Sequence, residues 1–288
     1  MKARSFIIFV RELHDQWQKD NALSHGAALA YYTLFSMAPL LMLVIAIVGL
    51  VLGDAAAQGQ LVGKIESVIG PDAARTIEGL IVNVSARRSG VLASAVSLIT
   101  MLVGASGVFG QLRTSLNQIW EVRTTASNPV AAAARQRLAS FAIIVGIGGL
   151  LLASLLLTAA LAAVHDLLAR HLPVLTELLP ALNFLVSFLL TTSLFAMIYK
   201  LLPDARMDWR DVWLGAAVTA LLFTIGKTLI GLYLGRTGVA SVYGAAGSLV
   251  VILLWVYYCA QIFLVGAEFT EVYSRFYGSR RDQVAPPE

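Results

Sequence analysis

Apolar residues run through this chain in blocks too long for strands or for the buried helices of an ordinary water-soluble domain. Residues 28–53 carry no charged side chain. Further blocks follow at 90–110, 138–164, 181–202, 210–234 and 246–273. At 1.5 Å per residue each reaches at least about 30 Å, the thickness of a bilayer's hydrocarbon core. The pattern predicts an all-α, polytopic membrane bundle of six transmembrane helices. Residues 1–277 then form a single membrane-embedded domain.

The polar intervals predict the remaining elements. Over residues 3–20, Phe6, Phe9, Val10, Leu13 and Trp17 recur at helical spacing. They predict an amphipathic N-terminal helix that either lies in the membrane interface or packs under the bundle. Gly70-Pro71-Asp72 is a turn followed by a helix start, so short external helices are expected at 58–69 and 72–86. Pro39 falls inside the first span, frees the carbonyl of Phe35 and should kink the helix there. Leu201-Leu202-Pro203-Asp204 ends the fourth span, and Asp208 stands as N-cap of the fifth. Two glycines bracket Ala245-Ala246 where the sixth span begins, so 235–248 is either a plain external loop or a broken-helix element. The tail 278–288 is polar, contains Pro286-Pro287 and reads as disordered.

Composition strengthens this picture. Of 288 residues 58% are hydrophobic and 13% charged, against about 25% charged in a soluble domain. Lipid is the solvent that such a surface needs. The lone Cys259 excludes an internal disulfide. The first apolar run, Phe6 to Val10, is closed by Arg11 and Glu12 and is shorter than the roughly 7–15 residues of a signal-peptide core. The net charge of +4 does not point to nucleic acid, because the basic residues sit at helix ends and in short loops. Fourteen of the 21 lysines and arginines fall on one side of the six-span arrangement. The positive-inside rule then puts both termini in the cytoplasm.

Enzyme motifs are missing. His14, His25, His165 and His171 have no partner at metal-ligand spacing, and there is no G-x-S-x-G elbow, P-loop or EF-hand. No catalytic residue, metal or cofactor is expected. Polar residues inside the spans are the better lead, because a charge in hydrocarbon is costly and usually functional. Lys227, in the outer half of the fifth span, either snorkels to the interface or contacts an anionic substrate in a wet cavity. Tyr31, Ser36 and Pro39 of the first span, with Tyr243, Tyr257 and Gln261 near and within the sixth, are the further cavity candidates. Tyr31-Tyr32 also fits an interfacial belt. Arg113 and Glu268 lie at similar depth and are expected to pair, as a structural ion pair or a gate. Gly49/Gly53 and Gly231/Gly235 can serve helix contacts within one chain or between two copies.

Several strings together resemble the BrkB/YihY family of bacterial inner-membrane proteins, once labelled ribonuclease BN. They are Ala27-Ala28-Leu29-Ala30-Tyr31-Tyr32-Thr33-Leu34-Phe35-Ser36 through Pro39, Leu116-Asn117-Gln118-Ile119-Trp120, Leu202-Pro203-Asp204 and Trp213-Leu214-Gly215-Ala216. Tyr243-Gly244-Ala245-Ala246-Gly247-Ser248-Leu249, Leu254-Trp255-Val256-Tyr257 and Gly266-Ala267-Glu268 complete the set. The resemblance covers about residues 10–275. It implies six spans with both termini inside, and a transporter or an envelope and serum-resistance factor. The ribonuclease label is regarded as mistaken in this family. The expectation is therefore a transporter, exporter or lipid-translocating protein whose cavity lies between the first, fifth and sixth spans. Its partners are the bilayer and an unidentified small molecule or lipid. The alternative is a non-transporting membrane scaffold or envelope-integrity factor with a dry bundle.

Overall fold

The computed structural model describes residues 2–85, 107–122, 179–205, 207–237 and 246–280, with Tyr243 and scattered positions between 138 and 157. Among the described residues all regular structure is helical. In chain order the helices are α1 (Lys2–Lys19), α2 (Ala22–Leu52), α3 (Asp54–Ile69), α4 (Pro71–Ser85), α5 (107–119), α6 (Leu179–Leu201), α7 (Trp209–Thr237) and α8 (Gly247–Phe276). Four of these are long and apolar enough to cross a membrane: α2, α6 from Pro180, α7 as far as Tyr233, and α8. The spans expected at 90–110 and 138–164 lie largely outside the described residues, as do half of 235–248 and the tail beyond 280. The described positions between 138 and 157 are helical, and Gly146 there lies against Met197 of α6.

Lipid explains which side chains face outward. Phe184, Leu185 and Leu189 of α6 and Leu221, Ile225, Leu229 and Leu232 of α7 are exposed, an apolar surface too continuous for water. The buried residues gather in two clusters. One joins α2, α3, α4 and the start of α8 through Met42, Ile45, Val48, Ala57, Ile77, Ile81 and Ile252. The other joins α2, α5, α6, α7 and the end of α8 through Leu29, Leu116, Trp120, Tyr199, Val212, Phe263 and Leu264. Helices α2 and α8 each supply buried residues to both clusters, and α8 is buried at intervals from Gly247 to Ser274, which makes it the central strut.

Chain reversals follow the sequence punctuation. Gly53 (φ 83°) caps α2 by donating its N–H to Gly49 O, and Gly70 (φ 89°) closes α3. Both sit in backbone regions that side chains rarely adopt. Gly53 is therefore a helix stop, and a Cβ there would meet nothing within 4 Å. Within the chain, Gly53 thus takes no part in a helix–helix contact. The α3 and α4 helices begin earlier than expected for the first, at Asp54, and are built into the core under α2 rather than merely covering it. Helix α2 runs unbroken through Pro39. Helix α1 seats Phe9 edge-on against Phe269 and Phe276 of α8 (centroids 5.4 and 6.0 Å), while Ile7, Ile8 and Val10 remain exposed.

The closest helix pair is α7 with α8, and its contact is reciprocal. A Cβ at Gly215 would lie 1.8 Å from Thr270 Oγ1, and one at Gly266 would lie 1.9 Å from Thr219 Oγ1. Each threonine sits four residues after the glycine of its own helix. Each donates its hydroxyl to that glycine's carbonyl at 2.7 Å. The hydroxyls are thus satisfied locally, and the side chains fill the notches opposite. Tyr199 of α6 completes the joint by donating to Phe263 O (2.7 Å) and meeting Thr219 Oγ1 at 3.1 Å.

Replacing Gly266 by alanine should therefore overpack this joint and destabilise the bundle by roughly 1–3 kcal/mol. Thermal unfolding in detergent reads the loss, and G266A combined with Thr219→Ala should recover part of it.

Candidate functional site

Polar side chains concentrate at the end of the bundle where α1 and α2 meet and α5, α6 and α8 finish. Helix α5 closes there with two reverse bonds: Glu121 N–H to Gln118 O (3.0 Å) and Val122 N–H to Asn117 O (2.8 Å). These are the bonds of a Schellman ending, and Glu121 takes the left-handed position (φ 50°) that glycine usually fills. Lys19 of α1 reaches across to Glu121 Oε1 at 2.9 Å. That pair holds the Glu121 carboxyl below and the Lys19 ammonium above their ordinary ranges.

Arg113 makes a forked pair. It does not reach Glu268, as the sequence led us to expect. Its Nη2 donates to Asp204 Oδ1 and Oδ2, both at 2.7 Å, and its Nε donates to Oδ2 at 3.1 Å. Asn117 clamps the same residue twice, donating Nδ2 to Asp204 Oδ2 (3.0 Å) and accepting the Asp204 N–H (2.9 Å). The physical reason is solvation. The side chains of Arg113 and Asp204 keep 16% and 24% exposure, so a forked pair there carries a smaller desolvation penalty than one sealed beside Glu268. Lys200 completes this rim by donating to Met207 O and lying 5.6 Å from the Trp209 ring centroid.

A second network joins α2 to α5. His25 Nε2 lies 2.9 Å from Gln118 Oε1, while His25 Nδ1 lies 3.0 Å from Ser115 Oγ and 3.3 Å from Gln111 Nε2. A neutral imidazole with its proton on Nε2 satisfies every one of these contacts. Gln118 Nε2 continues the file to Asp20 O at 3.1 Å. The Asp20 carboxyl is buried at the α1–α2 turn, and burial pushes it above the usual carboxylate range. Sequence reasoning missed this file. Its signal was present in Gln111, Ser115 and Gln118, which share one helical face at i, i+4 and i+7.

The α2–α8 seam is the third feature. Gly26 leaves room for Gln261, whose Nε2 donates to Ala22 O at 3.4 Å; a Cβ on Gly26 would lie 1.9 Å from that nitrogen. Tyr257 lies on the other side of the same gap, 3.5 Å from that Cβ position. Gln261 Oε1 is buried with no hydrogen-bond partner. Two helical turns further on the same face lies Glu268, fully buried, and neither of its oxygens has a partner.

The remaining candidates do not converge on this seam. Ser36 is buried beside Gly107, where a Cβ would be 3.7 Å from its Oγ. Tyr31 is exposed, tilted against Phe35 (4.8 Å) and edge-on to Tyr32 (5.8 Å), which forms an exposed aromatic ridge. Pro39 is half-buried in α2, and Tyr243 is exposed. Lys227 is exposed on α7, one residue round from Gly226, which packs against Tyr258 and Ile262. It does not join Tyr257 and Gln261. Among the described residues no three His, Cys, Asp or Glu side chains could hold a metal.

A helical bundle with four helices long and apolar enough to cross a membrane and with exposed apolar flanks defines a polytopic membrane protein. Residues 13–287 match the model of the family described as virulence factor BrkB, and the chain belongs to that family. It is 28% identical over 264 residues to a UPF0761 membrane protein of Verminephrobacter eiseniae, covering 90% of this chain and 60% of that one. It is 28% identical over 268 residues to a UPF0761 membrane protein of Pseudomonas aeruginosa strain PAO1, covering 90% and 61%. A UPF0761 membrane protein of Alteromonas mediterranea is 26% identical over 283 residues, covering 98% and 91%. The chain thus spans about three fifths of the first two relatives and nearly all of the third. No solved structure matches.

Two outcomes follow from these pairs. Asp204→Asn strips the charge from the Arg113 fork, and unfolding should show a loss on the order of 2 kcal/mol, with Arg113→Ala and the double variant no worse. Glu121→Gln keeps the left-handed backbone and removes only the pair with Lys19. The carboxylate's contribution is present above its ordinary range and lost as pH falls through the lowered value. The ammonium's contribution is present below its ordinary range and lost as pH rises through the raised value. The variant should therefore lose less than about 1 kcal/mol near neutrality, since both groups are largely exposed. Wild type and variant should converge in strong acid and in high salt.

Proposed function

We propose that this protein is a transporter, exporter or lipid-translocating protein of the bacterial inner membrane that acts without catalytic chemistry. It crosses six times, with both termini in the cytoplasm. Helix ends support that count: α2 leaves the polar end, α5 and α6 return to it, α7 leaves it again and α8 returns. One crossing between α4 and the end of α5, and another between α5 and α6, make the directions agree.

The carrying observation is the polar face of α8 laid against α2. Gln261 Oε1 and both Glu268 oxygens are buried acceptors without donors on a membrane-spanning helix. Each unpaired acceptor is destabilising by about 1–3 kcal/mol. A bundle built only to hold itself together would replace them with apolar residues. Groups of this kind in spans mark substrate or ion paths. The path runs along the α2–α8 seam past Tyr257 and Gln261, and Lys227 is a snorkelling side chain outside it. The exposed Ile7, Ile8 and Val10 of α1 dip into the inner leaflet at the foot of the path.

Single cysteines at 36, 257 and 261 in a Cys259→Ala background, labelled in sealed vesicles with a membrane-impermeant thiol reagent, test the path. Positions 257 and 261 should label from the cytoplasmic side, while 225 on the lipid face and 219 in the α7–α8 joint stay unlabelled. Silence at 257 and 261 from both sides would leave a dry bundle and favour the scaffold.

A further inference from the structure

Glu268 is the one fully buried acid among the described residues whose carboxylate oxygens both lack a partner. Among the described residues no cation pairs with it. Asp20, Glu271, Arg275 and Lys19 act on it electrostatically, while the charge of Arg280 bears on Glu271 and Glu121. Arg275 is committed to Glu271, with Nε–Oε1 and Nη2–Oε2 both at 2.7 Å, and lies 3.8 Å from Glu12. Lys19 is committed to Glu121 and Arg113 to Asp204. His25 already has every ring contact filled by Gln111, Ser115 and Gln118. On the α7 side, Asp211 accepts the N–H and O–H of Ser279 and supplies no positive charge. On the α6 side, Tyr199 spends its hydroxyl on Phe263 O. Asp20 and Glu271 add negative potential.

Arg275, Lys19 and Arg113 could each neutralise that carboxylate only by leaving an existing ion pair. No metal fits either, because no set of three acidic or His/Cys ligands is gathered there among the described residues. A proton is the remaining neutraliser, and isolated buried acids take one in preference to ionising. The route out is short in topological terms. Asp20 at the α1–α2 turn is the next acid toward the polar end, and it joins the file of Gln118, His25 and Ser115 through its own backbone carbonyl.

We propose that Glu268 is a proton-carrying site that exchanges with the cytoplasm past the α1–α2 turn. The proton comes from hydronium at the polar end, forms an O–H bond on one Glu268 oxygen, and returns by the same route. No electron moves and no other bond breaks. Within the transport reading, on which this second half of the assignment rests, the proton is the coupling ion. Release of the proton from Glu268 would then leave a negative charge on α8 and reset the path. The binding of the proton does not itself depend on transport.

Infrared spectroscopy of the full chain in lipid nanodiscs tests the site. A protonated-carboxyl C=O band that downshifts in D2O should be present at neutral pH in wild type and disappear as the pH is raised. It should be lost in Glu268→Gln and retained in Glu271→Gln and Asp20→Asn, although D20N should slow its deuterium exchange. A wild-type spectrum without any such band from neutral to acid pH, or a band equally strong in E268Q, overturns the proposal. If E268Q fails to assemble as a monodisperse helical protein, Glu268→Asp takes its place. The band must then move in frequency, and an unmoved band overturns the assignment. A band lost in E268Q together with silent cysteines at 257 and 261 keeps the proton site and ends the transport reading. Labelled cysteines with no band do the reverse.

Discussion

The joint between α7 and α8 is the contact on which the other helices depend. Lipid tails are as apolar as leucine, so burial of oil against oil does not hold helices together inside a membrane. What does is close approach, and Gly215 and Gly266 grant it because each leaves a notch that the opposite threonine fills. With α8 pinned to α7, Tyr199 draws α6 onto the pair and Trp120 ties α5 to it through Ala267 O at 3.4 Å. The face of α8 left over is the one that carries Gln261 and Glu268, and α2 has to cover it. Helix α2 does so with its own small residues, Ala22 and Gly26. The polar seam is thus a by-product of where the tightest contact lies.

The bundle divides its polar chemistry by solvent access. At the rim, where side chains keep some exposure, charges are met by charges: Arg113 with Asp204, Lys19 with Glu121, Arg275 with Glu271. One layer in, neutral groups are met by neutral groups, with His25 held by two glutamines and a serine. On the buried face of α8, Gln261 Oε1 and both Glu268 oxygens stand without donors.

Much of this was legible in the residues. Long apolar blocks announce α2, α6, α7 and α8 because hydrocarbon leaves the backbone no alternative to helix. The turn at Gly70-Pro71 announces α4, and the Pro203-Asp204 stop announces the end of α6. What the sequence hid was pairing. Arg113 and Glu268 share a depth, and depth is all that hydropathy measures. Which acid the arginine meets depends on the loop geometry that brings Asp204 under Asn117. Gly53 resembles half of a helix-contact motif because spacing alone does not separate a notch from a stop. The real notch is glycine with threonine four residues on, twice and antiparallel, a pattern visible only when both helices are compared. Lys227 drew attention as an isolated charge in a span, yet its helix turns it outward.

The four long helices are not equal in height. Helix α2 has 31 residues and α6 has 23, which at 1.5 Å per residue makes them about 46 and 34 Å long. A bilayer matched to α6 is too thin for an upright α2. Part of the excess is met where α3 and α4 pack on Met42, Ile45 and Val48 of α2, while Leu50 and Val51 beyond them stay exposed. On the α6 flank, lipid meets the bundle at ordinary depth, and on the α2 flank it meets a shoulder. The protein therefore presents the surrounding membrane with a step in hydrophobic thickness, and fractions of a kcal/mol per ångström of mismatch fall unevenly around its girth. Lipids of different chain length are sorted by such a step without any headgroup being recognised.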